Sequence, residues 1–97
     1  MKNFNNKVAA ITGAGSGIGQ QLAVLLAQQG CHLSLSDVNE QGLAATVELL
    51  KPHPVRVTSK RLDVSDRIAM KAWAEETVQN HGSVNMIFNN AGVALAS

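Results

Sequence analysis

Tyrosine is absent from the 97 residues, and there is only one cysteine. Without tyrosine the chain has no phenol to bring within hydrogen-bond reach of a substrate oxygen as a general acid. The single cysteine, Cys31, cannot close an internal disulfide, which suits a reducing compartment. An excess of one charge is also missing. Eight basic residues stand against seven acidic ones, for a net +1, and no basic cluster stands out, so electrostatics give no support for a nucleic acid partner. No apolar run approaches a membrane span, and the stretch after Asn6 is too short for the core of a signal peptide. The expectation is a cytoplasmic globular segment that engages neither nucleic acid nor membrane.

Apolar residues make up 45% of the chain, enough to build a core. Strand and helix patterns alternate along it. Val8-Ala9-Ala10-Ile11-Thr12 is apolar on both faces and ends in glycine, as a buried central strand does. A helix follows from Ile18 to Gln29, with Ile18, Leu22, Leu25, Leu26 and Gln29 as its stripe and Gly30 as its stop. The second strand is His32 to Ser36, followed by Asp37. The second helix runs from Glu40 to Lys51, with Asn39 as its cap, Leu43, Val47 and Leu50 on its buried side, and Pro52 and Pro54 at its end. Val55, Val57 and Leu62 point to a third strand. A third helix runs from Asp66 to Asn80, capped by Ser65 and closed by Gly82. Val84, Met86, Ile87 and Phe88 form the fourth strand. Helices of this length can cross back over a sheet, so the strands can be parallel. The expected fold is α/β, a Rossmann-type doubly wound parallel sheet of order 3-2-1-4, truncated after the fourth strand. Residues 1–97 then form a partial dinucleotide-binding domain, because an uncovered edge such as Met86-Ile87-Phe88 is a liability.

Thr12-Gly13-Ala14-Gly15-Ser16-Gly17-Ile18-Gly19 sits between the first strand and the first helix. Glycines there reach backbone angles closed to other residues and clear side chains from the path of a pyrophosphate. The helix behind them offers unpaired N–H groups and the positive end of its dipole. The spacing is G-x-x-x-G-x-G. It is neither G-x-G-x-x-G nor a Walker loop, since no lysine follows the last glycine. Asp37, eighteen residues after Gly19, ends the second strand, where a carboxylate can accept hydrogen bonds from both adenosine ribose hydroxyls and repel a 2′-phosphate. Neither Val38 nor Ser16 brings a positive charge, so NAD is favoured over NADP. Asp63-Val64 ends the third strand, where Asp63 can accept from an adenine amino group and Val64 can cover the ring. Asn89-Asn90-Ala91-Gly92 ends the fourth strand beside the first. An asparagine there can bridge two strands, and Ala91 and Gly92 allow a nucleoside close to the chain. A glycine loop with an acidic ribose partner also fits an S-adenosylmethionine-dependent methyltransferase or a non-catalytic nucleotide-binding module.

These motifs, in this order, resemble the N-terminal part of a classical short-chain dehydrogenase/reductase. Thr12 to Gly19 matches that family's TGxxxGIG motif and Asp37 its NAD-selecting acidic position. Asp63-Val64 matches the adenine-pocket pair, and Asn89-Asn90-Ala91-Gly92 the NNAG motif. The resemblance implies an oxidoreductase that transfers hydride between NAD(H) and a small alcohol or carbonyl substrate, in a homo-oligomeric parent protein. It implies that Thr12 ties the glycine loop to the fourth-strand motif. Ser16 and Ile18 are then near the cofactor phosphates, Asn89 stabilises the central sheet and sits near the nicotinamide-side ribose, and Ala91 and Gly92 are alongside the cofactor. Asn85 stands where the family often has aspartate. The family's serine and YxxxK are not found here, so the chain is expected to carry the cofactor half of an active site and no catalytic residue of its own. His32, His53 and His81 lack metal-ligand spacing, and Cys31 reads as a small buried residue.

Overall fold

The computed structural model describes residues 4–90. Seven elements alternate: β1 (Val8–Thr12), α1 (Gly17–Gln28), β2 (His32–Asp37), α2 (Glu40–Leu50), β3 (Val57–Arg61), α3 (Arg67–His81) and β4 (Met86–Asn89). The strands form one parallel sheet in the order β3-β2-β1-β4, as the sequence pattern implies. In the register, Thr12 lies beside Ser36 on one side and Asn89 on the other, so β1, β2 and β4 end level. The loops that follow those ends therefore open at one edge, the place where open parallel sheets collect ligands.

Strand alternation divides the core. Ala9, Ile11, Leu33 and Leu35 face α1 and α2, where Ala23, Leu26, Ala27, Leu43 and Leu50 meet them. Ala10 faces the other way, in a smaller cluster with Leu62 and Trp73 of the α3 side. The buried side of α1 is Gly19, Ala23, Leu26 and Ala27, while Ile18 and Leu25 are 62% and 59% exposed. The stripe of larger residues expected from sequence is therefore wrong in part. Small residues face the alanine-rich β1 and let the helix approach closely; Leu22 and Leu26 pack against the core as expected, while Ile18 and Leu25 are turned outward.

Other boundaries move for local reasons. Gly30, at φ 81°, takes the left-handed position that ends α1. Asn39 caps α2 by accepting from the Gly42 N–H at 3.1 Å. The cap of α3 is Asp66, which accepts from Ala69 N–H at 3.0 Å; Ser65 instead donates its N–H and hydroxyl to Asp63 Oδ1. Val55, Val84 and Leu62 fall outside the strands but pack against the clusters. Asn85 pairs reciprocally with Val8, its Oδ1 accepting from Val8 N–H at 2.8 Å and its own N–H donating to the Val8 carbonyl at 2.9 Å. The amide oxygen at this position thus accepts the hydrogen bond that an aspartate would, and β4 enters the sheet in register.

Candidate functional site

The glycine loop is pinned along its first half. Gly13, at φ 66°, presents its carbonyl to Asn90 Nδ2 at 3.2 Å. Ala14 N–H donates to the Ser36 carbonyl at 3.0 Å, and the Ala14 carbonyl accepts from the Thr46 hydroxyl of α2 at 2.7 Å. Gly15 N–H donates to Asp37 Oδ2 at 2.7 Å. Thr12, completely inside the sheet, donates its hydroxyl to Asn89 Oδ1 at 3.1 Å. The four glycines serve different ends. A side chain on Gly19 would strike the Gly13 carbonyl and come within 2.9 Å of Asn90 Nδ2, and one on Gly15 would lie 2.8 Å from both Asp37 Oδ2 and the Leu43 nitrogen. Gly17 has open space around it but sits at φ 50°, a conformation that L side chains rarely adopt.

The second half of the loop is open. Ser16 is the N-cap of α1, yet its side chain makes no capping bond, and no acidic residue stands in the first turn. First-turn N–H groups have no intrahelical acceptors, and the helix dipole adds positive potential there. This arrangement fits an anion with several acceptor oxygens.

A cleft of about 510 Å³ lies over this helix end, lined by Gly13, Ser16, Gly17, Ile18, Asp37, Val38, Leu62, Asp63, Val64 and Asn90. Most of the residues singled out from sequence therefore converge on it. Thr12, Gly15, Gly19 and Asn89 lie outside that lining and brace the loop or the strands beside it. Ala91 and Gly92 lie outside the described residues. Asp37 sits between the loop and α2, Oδ2 holding Gly15 N–H and Oδ1 accepting from Asn39 N–H at 3.0 Å. Each oxygen retains a lone pair for a further donor. Asp63 is held below the usual carboxylate range, first by the Ser65 N–H, then by the Ser65 hydroxyl and the nearby Arg61 charge. It is thus an anionic acceptor at neutral pH. Among the described residues no group of three His, Cys, Asp or Glu side chains gathers to hold a metal, and no helix is long and apolar enough to cross a membrane.

Sequence reasoning missed two supports and one wall. Gly42 and Thr46 of α2 brace the loop from behind, and Leu62 forms part of the cleft. A glycine inside a helix was a usable signal, because it costs about 1 kcal/mol against alanine and asks for a packing reason. Thr46 gave no comparable sign.

Strand order, loop and cleft together define a Rossmann-type α/β protein with its ligand edge at the strand C-termini. The sequence profile described as short chain dehydrogenase matches residues 7–97, and the chain belongs to that family. It is 49% identical over 94 residues to SadH of Mycobacterium tuberculosis, covering 97% of this chain and 34% of that protein. The structure of an NAD+-bound xylitol dehydrogenase superposes with a TM-score of 0.90 at 34% identity, covering 95% of this chain and 35% of the other. A Burkholderia phymatum short chain dehydrogenase/reductase in complex with NAD gives a TM-score of 0.84 at 40% identity, covering 90% and 31%. The chain thus spans about a third of the length of the relatives it matches.

Proposed function

We propose that the cleft holds NAD and that the chain supplies the cofactor half of an oxidoreductase acting on a small alcohol or carbonyl compound. The observation that carries this is the convergence of the open α1 N-terminus and the Asp37 carboxylate on one cleft. The N–H groups of Ser16, Gly17 and Ile18 take the diphosphate. Asp37 accepts from the adenosine ribose hydroxyls, and Asp63 and Val64 receive the adenine. Asn89 and Asn90 are assigned to the nicotinamide-ribose side, and the same role is proposed for Ala91 and Gly92. Bound NAD supplies the hydride acceptor; the chain's own residues bind and orient it. The NAD-bound relatives support this preference, as does the charge at Asp37, which repels a 2′-phosphate. Family membership leaves the methyltransferase alternative without support.

The 97 residues contain no tyrosine to act as the acid, so the chain on its own binds cofactor without turnover. Residues 1–97 act as part of a larger dinucleotide-binding domain in this reading. Calorimetric titration with NAD and NADP tests the cofactor assignment. NAD binding with at least tenfold weaker NADP is expected, whereas equal or tighter NADP binding sinks the role given to Asp37. Hydride transfer catalysed by the isolated chain would overturn the division into halves.

A further inference from the structure

The Thr46 hydroxyl touches three elements at once, although it lies in the interior of α2 and completely out of solvent. It accepts from Gln20 Nε2 of α1 at 2.9 Å. Its hydrogen faces the Ala14 carbonyl of the glycine loop at 2.7 Å and, more distantly, the Gly42 carbonyl one turn back at 3.1 Å. A threonine in mid-helix commonly bonds back to its own helix; here the shorter distance is to the loop. Gln20 fills an acceptor position on the hydroxyl and so directs its proton toward the carbonyls. One turn earlier, Gly42 lets α2 lie directly on the loop: a Cβ there would strike the Gly15 carbonyl oxygen and come within 3.1 Å of its carbon.

We infer that Thr46, held by Gln20, is a positioning residue for diphosphate binding. It fixes the Ala14 carbonyl, and through the Ala14-Gly15 peptide it aims the N–H groups of Ser16, Gly17 and Ile18 into the cleft. This rests on the cofactor reading, and it assigns part of the diphosphate affinity to a side chain that never touches the ligand. The same Ala14-Gly15 peptide donates its N–H to Asp37 Oδ2, so adenosine, bound at Asp37, Asp63 and Val64, feels the brace through that single bond, while NAD depends on it for the diphosphate as well.

The test is calorimetric titration of this chain and its Thr46→Val and Thr46→Ser variants with NAD and with adenosine. Thr46→Val keeps the shape but leaves the Ala14 carbonyl without its donor, and NAD binding is expected to weaken about tenfold with adenosine binding weakened by no more than about twofold. Thr46→Ser restores NAD binding to within about twofold. Unchanged NAD binding in Thr46→Val overturns the inference, and so does an equal loss for adenosine, which marks general damage. Gln20→Met, at a partly exposed position, decides the matter if Thr46→Val does not fold. A selective loss of NAD affinity supports the brace, and unchanged affinity refutes it. Amide exchange separates the two levels of the argument without any ligand. Protection of the Ala14 and Gly15 amides is expected to fall in Thr46→Val while that of Ala9 in β1 holds, and unchanged protection refutes the brace. Wild-type chain that binds neither ligand overturns the cofactor reading, and the exchange result still judges the positioning of the loop.

Discussion

Leu33 and Leu35 of β2 meet Leu26, Leu43 and Leu50 on one face of the sheet. Their strand neighbour Ser34 turns to the other face and meets α3 through polar atoms. Ser34 Oγ lies 2.6 Å from Thr77 Oγ1, which itself donates to the Trp73 carbonyl at 2.8 Å. Along the same helix, Thr58 Oγ1 lies 2.9 Å from His81 Nε2, and Lys60 reaches Glu76 at 3.2 Å. Ser36 Oγ is buried with no partner among the described residues, and Ile87 of β4 is 72% exposed. The first face is closed by non-directional apolar burial, about 2 to 3 kcal/mol per leucine. The second combines a smaller apolar cluster, Ala10, Leu62 and Trp73, with hydrogen bonds, each worth about 1 kcal/mol net. The glycine loop is braced from the first face, through Gly42 and Thr46 of α2. The side of the sheet with the larger apolar core thus holds the ligand loop in place, and α3 is attached by a smaller cluster and polar contacts that can be exchanged singly.

The widest gap between the faces is expected at neighbouring positions of β2. Leu35→Ala opens a cavity on the apolar face and should cost about 3 to 4 kcal/mol in urea unfolding. Ser36→Ala removes a hydroxyl that has no described partner, and should change stability by less than about 0.5 kcal/mol or raise it. Comparable losses would end the distinction between the faces. Gly19→Ala comes next, for the loop braced on the apolar side. Its methyl meets backbone atoms of Gly13, one of them at 2.8 Å, which cannot swing aside as a side chain could. A loss of about 1 to 3 kcal/mol in stability is expected, together with NAD affinity reduced by about a hundredfold in titration. Retained affinity would show that the loop tolerates a displacement its packing forbids.

Much of this was legible before any coordinates. The alternation of periods, the caps and the glycine stops fix the order of elements, the lengths of the crossovers allow parallel strands, and the doubly wound arrangement expected for such a chain gives the observed order 3-2-1-4. Gly13 to Gly19 and Asp37 could be singled out because glycine spacing and a strand-ending carboxylate carry direct physical meaning. The α1 stripe was misread because hydrophobicity counts leucines, while close approach to β1 selects Gly19, Ala23 and Ala27. Ser34 and Ser36 look like the solvent side of an alternating strand, yet both are buried, Ser34 against Thr77 of α3. Ser65 resembles a cap, but the Asp63 carboxylate takes its donors and moves the cap to Asp66. Thr46 was invisible because its partner is 32 residues away and local pattern cannot reveal such a contact.

The Ser34–Thr77 pair offers a narrower comparison within the polar face. Thr77→Val leaves the Ser34 hydroxyl buried beside a methyl group and should cost about 1 to 3 kcal/mol. Replacing both residues, as Ser34→Ala with Thr77→Val, removes the unpaired group as well and should cost less than Thr77→Val alone. A double-mutant cycle by chemical unfolding measures this coupling. Strict additivity would mean that the short contact contributes nothing to the docking of α3.

The smallest effect is set by pH, and it should appear on one face only. Burial depresses the His81 pKa below its ordinary 6.5, and the charges of Arg56 and His32 push the same way. Nδ1 is buried without a described partner, so a proton there would add both a charge and an unsatisfied N–H. Thr58 occupies Nε2, while Arg56 reaches the neighbouring Asn80 carbonyl at 3.1 Å. As pH falls through 6.5 the unfolded chain takes up this proton before the folded one does. The unfolded state then binds more protons, and stability declines until the folded pKa has been passed. Urea unfolding between pH 7 and 5 should show a shallow loss that His81→Gln flattens. Amide exchange, corrected for its intrinsic pH dependence, locates the loss. Val78 to His81 and Thr58 should open more readily at the lower pH, while the β1, α1 and α2 amides of the apolar face hold. An equal loss of protection on both faces would mean that the sheet responds as one unit, and that the polar attachment of α3 is not a separate point of weakness.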